Sequence, residues 1–266
     1  MKRAAFAILP VLASAAAWGF ELDLAAGSGG SFQIEAGRSI EWRRDEKVYI
    51  AEGNVRAAQG ELVLQAETLS AHYRSDEAGK TQIERVEARG GVTIDSPDGT
   101  ANGAEAIYDL DRSLIVLRGG DLSLRTTEYR ITARESLEFH RDENYAVARG
   151  AVRAVRAEES VSAETLVLRF EDAGDGKLAA RRLEAFGKVE VRNGPDSVTG
   201  ERGFYDTEAQ TAEVCGNVRL QQGPNRMAGE CAEVDIAKGR SRLVAGAGGR
   251  VSGLFEPGAA DVAPAR

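Results

Sequence analysis

Apolar and polar residues alternate along most of the chain with a period of two. Ile131-Thr132-Ala133 leads into Leu137-Glu138-Phe139, and Val161-Ser162-Ala163 leads into Leu166-Val167-Leu168-Arg169-Phe170. Successive side chains of an extended strand point to opposite faces, so such runs predict half-buried β-strands. In the second run the apolar parity changes near Glu164, which marks a bulge or corner where the strand re-aims its side chains. Turn formers separate the runs at Ser96-Pro97-Asp98-Gly99, Asn193-Gly194-Pro195-Asp196 and Gly223-Pro224-Asn225. No window sustains the apolar period of a helix, so little helix is expected. The pattern predicts an all-β chain of about fourteen to sixteen antiparallel strands.

One phrase is written twice. Residues 51–57 read AEGNVRA and residues 148–154 read ARGAVRA, an offset of 97. Residues 34–119 lie over 131–216 without a gap, and 28 of the 86 aligned pairs are identical. They include Ala66-Glu67-Thr68-Leu69 over Ala163-Glu164-Thr165-Leu166, and Tyr108-Asp109 over Tyr205-Asp206. The chain is therefore an internal duplication, which bears on the fold more than any single motif. Within each copy a shorter beat recurs: a small or apolar residue, any residue, Gly, any residue, then usually Val. It places Gly53, Gly90, Gly119, Gly150, Gly187, Gly216 and Gly249 at spacings of 37, 29, 31, 37, 29 and 33. Glycine weakens a strand unless it permits a bulge, a bend or a close backbone approach. Its recurrence predicts one bend repeated through a stacked structure.

The phrase Ala51-Glu52-Gly53-Asn54-Val55, followed by Gly60-Glu61-Leu62-Val63-Leu64 and Ala66-Glu67-Thr68-Leu69, resembles the OstA-like family. So does Asn102-Gly103-Ala104-Glu105-Ala106-Ile107-Tyr108-Asp109 running into Leu114-Ile115-Val116-Leu117-Arg118-Gly119. The resemblance spans about residues 32–252, once per copy, and that family includes the periplasmic bridge protein of lipopolysaccharide transport. It implies an open, V-shaped antiparallel β-jellyroll, here as two tandem repeats. It also implies an apolar interior that shields the acyl chains of lipopolysaccharide on their way from inner to outer membrane. The chain departs from the usual bridge protein in carrying two copies, so fewer subunits are expected to be needed to cross the periplasm.

The start of the chain reads differently. Lys2 and Arg3 precede a short apolar run that closes on Ser14-Ala15-Ala16-Ala17. That order is expected of a secretory signal peptide, cleaved near Ala17 or Gly19, and the run is too short for a membrane anchor. The expected organisation is a signal peptide at 1–19, a linker at 20–31, modules at 32–127 and 128–252, and a disordered tail at 253–266. Localisation would be periplasmic.

Charge narrows the partners. The formal net charge is −8, and without Lys2 and Arg3 the balance is 32 basic against 42 acidic side chains. Such a surface does not draw in nucleic acid or anionic headgroups at long range, so lipid would be held by its tails. Two cysteines do not make a disulfide scaffold. Cys215 and Cys231 lie eight residues either side of Gly223, where a hairpin would set them opposite one another; the alternatives are a disulfide or two buried thiols.

Enzyme readings find little support, and no cofactor or metal is expected. His72 and His140 fall at non-corresponding positions without a neighbouring ligand or triad pattern. Asp109 and Asp206 each follow a Tyr beside a turn, which suits a structural hydrogen bond. The chemistry on offer is the apolar lining. Its candidates are Ile34, Leu64, Leu69, Tyr73, Ile94 and Ile107 in the first copy. In the second they are Ile131, Leu137, Phe139, Val161, Leu166, Phe170, Val191 and Phe204. A groove closed around lipid and a sandwich closed on its own core share this alternation. The alternative to a lipid carrier is therefore a structural β-repeat envelope protein, a scaffold or stalk with a self-filled core. An unclosed stack would leave unpaired edges near Phe32–Ala36 and Met227–Leu243. These could add strands to inner- and outer-membrane transport components of the same fold, or self-associate weakly head to tail.

Overall fold

The computed structural model describes residues 33–75, 81–174 and 177–256. The expected signal peptide, its cleavage site, the linker at 20–31 and residues 257–266 of the expected tail lie outside them. Among the described residues there is no helix. The strands are β1 (Gln33–Glu35), β2 (Ser39–Arg43), β3 (Val48–Gln59), β4 (Leu62–Ser75), β5 (Thr81–Ser96) and β6 (Gly99–Asp109). Then come β7 (Leu114–Arg118), β8 (Ser123–Thr126), β9 (Arg130–Thr132), β10 (Ser136–His140), β11 (Tyr145–Arg156) and β12 (Glu159–Gly174). The last are β13 (Lys177–Asn193), β14 (Asp196–Asp206), β15 (Thr211–Gln222), β16 (Asn225–Asp235), β17 (Arg240–Val244) and β18 (Ser252–Leu254).

Every pairing is antiparallel, and the long strands each pair with the next in the chain. The short segments are halves of bent strands. β1 and β2 both pair with β3, β7 and β8 both with β6, β9 and β10 both with β11, and β17 and β18 both with β16. Counted that way, the eighteen segments make fourteen bent strands. Each crosses from one half-sheet to the other, and the two half-sheets face each other over a shared apolar interior.

The bend has a chemical cause. At Gly53-Asn54, Gly90-Gly91, Gly150-Ala151, Gly187-Lys188 and Gly216-Asn217, both residues have φ between 43° and 88°. Two consecutive left-handed residues turn the strand sharply and insert one extra residue into the ladder, as the register shifts at Glu52/Val55 and Arg89/Val92 record. The glycine position is also crowded. A Cβ on Gly90 would lie 2.5 Å from the Glu67 Cβ, and one on Gly187 would lie 2.8 Å from the Glu164 Cγ. The neighbouring strands turn the same corner by changing parity: Ala66 and Leu69 are both buried, as are Ala163 and Leu166. The seventh glycine of the beat does not bend a strand. Gly249 sits in the turn between β17 and β18, its N–H donating to the Gly246 carbonyl at 2.9 Å.

Two cores fill the interior, one per repeat, and Leu124, Leu137 and Phe139 pack against both. The repeats are not separate bodies. β7 pairs with β10, and β8 with β9, so strand pairing runs through the expected boundary at 127/128. Gly253 and Leu254 pair with Met227 and Arg226, so they belong to the sheet and not to a tail beginning at 253. Among the described residues the stack does not close: β1 and β2 at one end, and β17 and β18 at the other, each leave one side unpaired.

The corner can be tested against a control glycine. Gly60 has φ 57° in a hairpin turn, and a Cβ there would meet nothing within 4 Å. Gly60→Ala should cost about 1 kcal/mol, the left-handed penalty alone. Gly90→Ala adds a steric clash and should cost at least about twice that by urea denaturation. Equal losses would mean that crowding does not constrain the corner.

Candidate functional site

The interior is the one place where the sequence candidates converge. Leu64, Leu69, Tyr73 and Ile94 are buried on the first repeat's inner face, and Ile131, Val161, Leu166, Phe170 and Val191 on that of the second. Ile34, Leu137 and Phe139 are half-buried and pack against these cores. Two candidates face the other way. Ile107 lies between Ala106 and Tyr108, which are the buried residues, and stands opposite Glu87 and Val116 on the outer surface. Phe204 likewise alternates against buried Tyr205; it pairs with Glu184 and Glu213, and the Arg182 guanidinium lies 4.1 Å over its ring. Both follow the corner of their strand by a few residues, and the parity change there reverses an assignment made from hydrophobicity alone.

Packing differs between the repeats. The first is closed on itself: Leu69 and Ile94 are each 1% exposed, and the gap beside Leu64, Ile94 and Ile115 is only about 20 Å³. Between the repeats lies an apolar cavity of about 110 Å³, lined by Ile115 and Leu117 of the first and by Phe139, Ala146, Leu166 and Phe170 of the second. Phe139 and Phe170 meet edge to face at one rim, with centroids 6.1 Å apart. Tyr129 and Arg156 also line it, and Arg156 donates to the Tyr129 hydroxyl at 3.0 Å. A further cavity of about 140 Å³ opens near the last strands, among Val198, Val214, Leu220, Met227 and Leu243.

Unpaired ends were expected from sequence, but not the apolar residues exposed at them. Ile40 (58% exposed) and Trp42 (48%) stand opposite Ala51 and Tyr49, hence on the inner face, with no strand beyond them. Trp42 stacks on Tyr49 at 5.6 Å, Tyr49 meets Tyr73 at 5.1 Å, and the Trp42 indole N–H donates to the Tyr73 hydroxyl at 2.8 Å. Val251 and Phe255 expose apolar surface at the opposite end. A large aromatic at the end of a short polar strand was the available signal.

The polar groups serve structure. The Asp109 and Asp206 carboxylates accept the backbone N–H of Arg112 and Ala209, at 3.1 and 2.8 Å, and so close the turns after their strands. The Ala209 N–H and then Arg181 hold the Asp206 carboxyl below its usual range, against partial desolvation. Desolvation works against the Glu138 carboxylate, yet Ser136 and Arg149 hold it below the ordinary range. His140 lies on the outer face, stacked on Tyr145 at 4.1 Å. Cys215 and Cys231 stand directly opposite on β15 and β16 and are joined by a disulfide, with Cα atoms 4.1 Å apart. Glu213 is beside them, but the sulfurs are bonded to each other and offer no thiolate to a metal.

One family model matches most of the chain. The profile described as LptA/(LptD N-terminal domain) LPS transport protein matches twice, over residues 33–135 and 130–240. Among solved structures, LptH, the LptA homologous periplasmic component of the lipopolysaccharide transport device from Pseudomonas aeruginosa, is similar at 16% identity and a TM-score of 0.42. That match covers 48% of this chain and 95% of LptH. A search of curated proteins gives no match.

The disulfide has a measurable weight. It closes a 16-residue separation, for which loop entropy gives about 3 kcal/mol, less whatever order the open hairpin retains. The unreduced protein should show no free thiol by mass spectrometry. Reduction should lower stability to urea by about 1–3 kcal/mol without unfolding the chain. Two free thiols in the unreduced protein would overturn the pairing.

Proposed function

Because the chain belongs to the LptA/(LptD N-terminal domain) LPS transport protein family, we propose that it is a periplasmic carrier that shields lipopolysaccharide acyl chains between its half-sheets. The observation that carries this reading is the apolar cavity between the repeats, bordered by six of the sequence candidates: Ile131, Leu137, Phe139, Val161, Leu166 and Phe170. Burying apolar surface is worth about 25 cal/mol per Å², so an acyl chain displacing water from such walls gains without any headgroup contact. The net charge of −8 agrees with recognition by the tails. Lipid entry requires the half-sheets to part, since the described interior has room for only a short stretch of chain.

A second reading draws on the first repeat. Leu69 and Ile94 are sealed as in an ordinary sandwich core, which favours a structural repeat protein holding no lipid. Site-specific photocrosslinking in intact cells separates the two. A photoreactive residue at Phe139 or Leu166 should crosslink lipopolysaccharide, and one at Ile107 or Phe204, on the outer face, should not. Crosslinking confined to the outer positions would remove the carrier reading.

The unpaired edges of β1, β2, β17 and β18 are where further strands would add, either from a second copy or from membrane-bound partners of the same fold. The junction between the two repeats already contains such a contact, β7 on β10. Ile40 is 58% exposed at the first edge, so Ile40→Glu should leave stability within about 0.5 kcal/mol. It should weaken capture of partners by crosslinking several-fold. Undiminished capture would argue that this end works alone.

A further inference from the structure

The duplication allows the same place to be compared twice within one chain. Trp42, Tyr49, Ala71 and Tyr73 of the first repeat fall on Phe139, Ala146, Leu168 and Phe170 of the second. The pairings correspond as well: Trp42 opposes Tyr49 as Phe139 opposes Ala146, and Tyr49 opposes Ala71 as Ala146 opposes Leu168. In the first repeat the Tyr49 ring fills the space between the two outer aromatics, and the Trp42–Tyr73 hydrogen bond holds them together. In the second, a methyl group stands where that ring would be. Leu168 returns part of the lost volume, Phe139 and Phe170 have no polar atoms to join them, and the cavity of about 110 Å³ borders Ala146.

We propose that Ala146 makes this cavity a subsite for the end of one saturated hydrocarbon chain, and that Tyr49 plugs the equivalent place in the first repeat. The proposal rests on the carrier reading and adds to it where along the interior a chain is held. Its size limits the occupant. An apolar cavity of about 150 Å³ admits benzene and excludes water, so the space here suits a short stretch of one chain and not several chains together. Its chemistry points the same way. Apart from Glu138 and Arg156 the lining residues are aliphatic or aromatic, and Ile115 and Leu117 of the preceding repeat cover the side that at Trp42 lies open. The two repeats therefore do not share the load equally: the second grips a chain, and the first seals the end of the interior.

A saturated twelve-carbon fatty acid carrying a diazirine near its methyl end is the probe, with labelled positions mapped by mass spectrometry. In the wild-type protein the label should fall on Phe139, Leu168 and Phe170. Ala146→Phe should reduce that labelling at least tenfold while leaving any label near Met227 and Leu243 unchanged, which also reports that the variant is folded. Tyr49→Ala should create new labelling at Trp42 and Tyr73. Unchanged labelling in Ala146→Phe, or none around Phe139 and Phe170 in the wild type, overturns the subsite. If lipopolysaccharide still crosslinks at Leu166 in that case, the carrier reading survives without it. Labelling as expected with no lipopolysaccharide crosslink would instead keep the subsite and remove the proposed cargo.

Discussion

The architecture depends on a backbone constraint: a strand that must pass from one half-sheet to the other within two residues. Both residues of each glycine corner occupy the left-handed region, which costs an L-residue about 1–2 kcal/mol, and the first has no room for a Cβ. Asn54 and Asn217 take the second place, where a short polar side chain tolerates that conformation, but Ala151 and Lys188 do so as well. The cost at those positions is offset by what the corner aligns. Val55, Val92, Val152, Val189 and Val218, each following its glycine by two, are among the most deeply buried side chains in the protein. The glycine bends the strand, and the valine uses the bend.

Much of this was legible in the sequence because two periods are superimposed. The two-residue alternation gave the strands, the 97-residue echo gave the repeat, and the parity change near Glu164 is the corner between Ala163 and Leu166. Ile107 and Phe204 emerge on the outer face, Phe204 under the Arg182 guanidinium and Ile107 beside Val116. Hydrophobicity identifies what can be buried. It does not say on which side of a bulge a residue emerges. An unpaired edge was expected at Phe32–Ala36, close to Ile40 and Trp42, but β2 is short and mostly polar, so its two apolar residues were not read as part of the interior.

How tightly the inward positions pack could not be read from alternation, and the packing differs along the chain. In the first repeat aromatic rings complete the packing, whereas smaller residues in the second leave space. Duplication followed by divergence thus produced two grades of the same interior from one pattern of inward positions.

The fourteen bent strands follow one another in chain order, so each is held mainly by the two on either side of it. Stability in such a stack approximates a sum of nearest-neighbour terms, and opening can begin at an end without the middle giving way. The two ends are reinforced differently. At one, three aromatic rings and a hydrogen bond hold β2, β3 and β4; at the other, a covalent link ties β15 to β16. Amide exchange should then be fastest in β17 and β18, outside the covalent link, and slowest around β10 to β12, where neighbours lie on both sides. The molecule would fray like a zipper with a stop near one end.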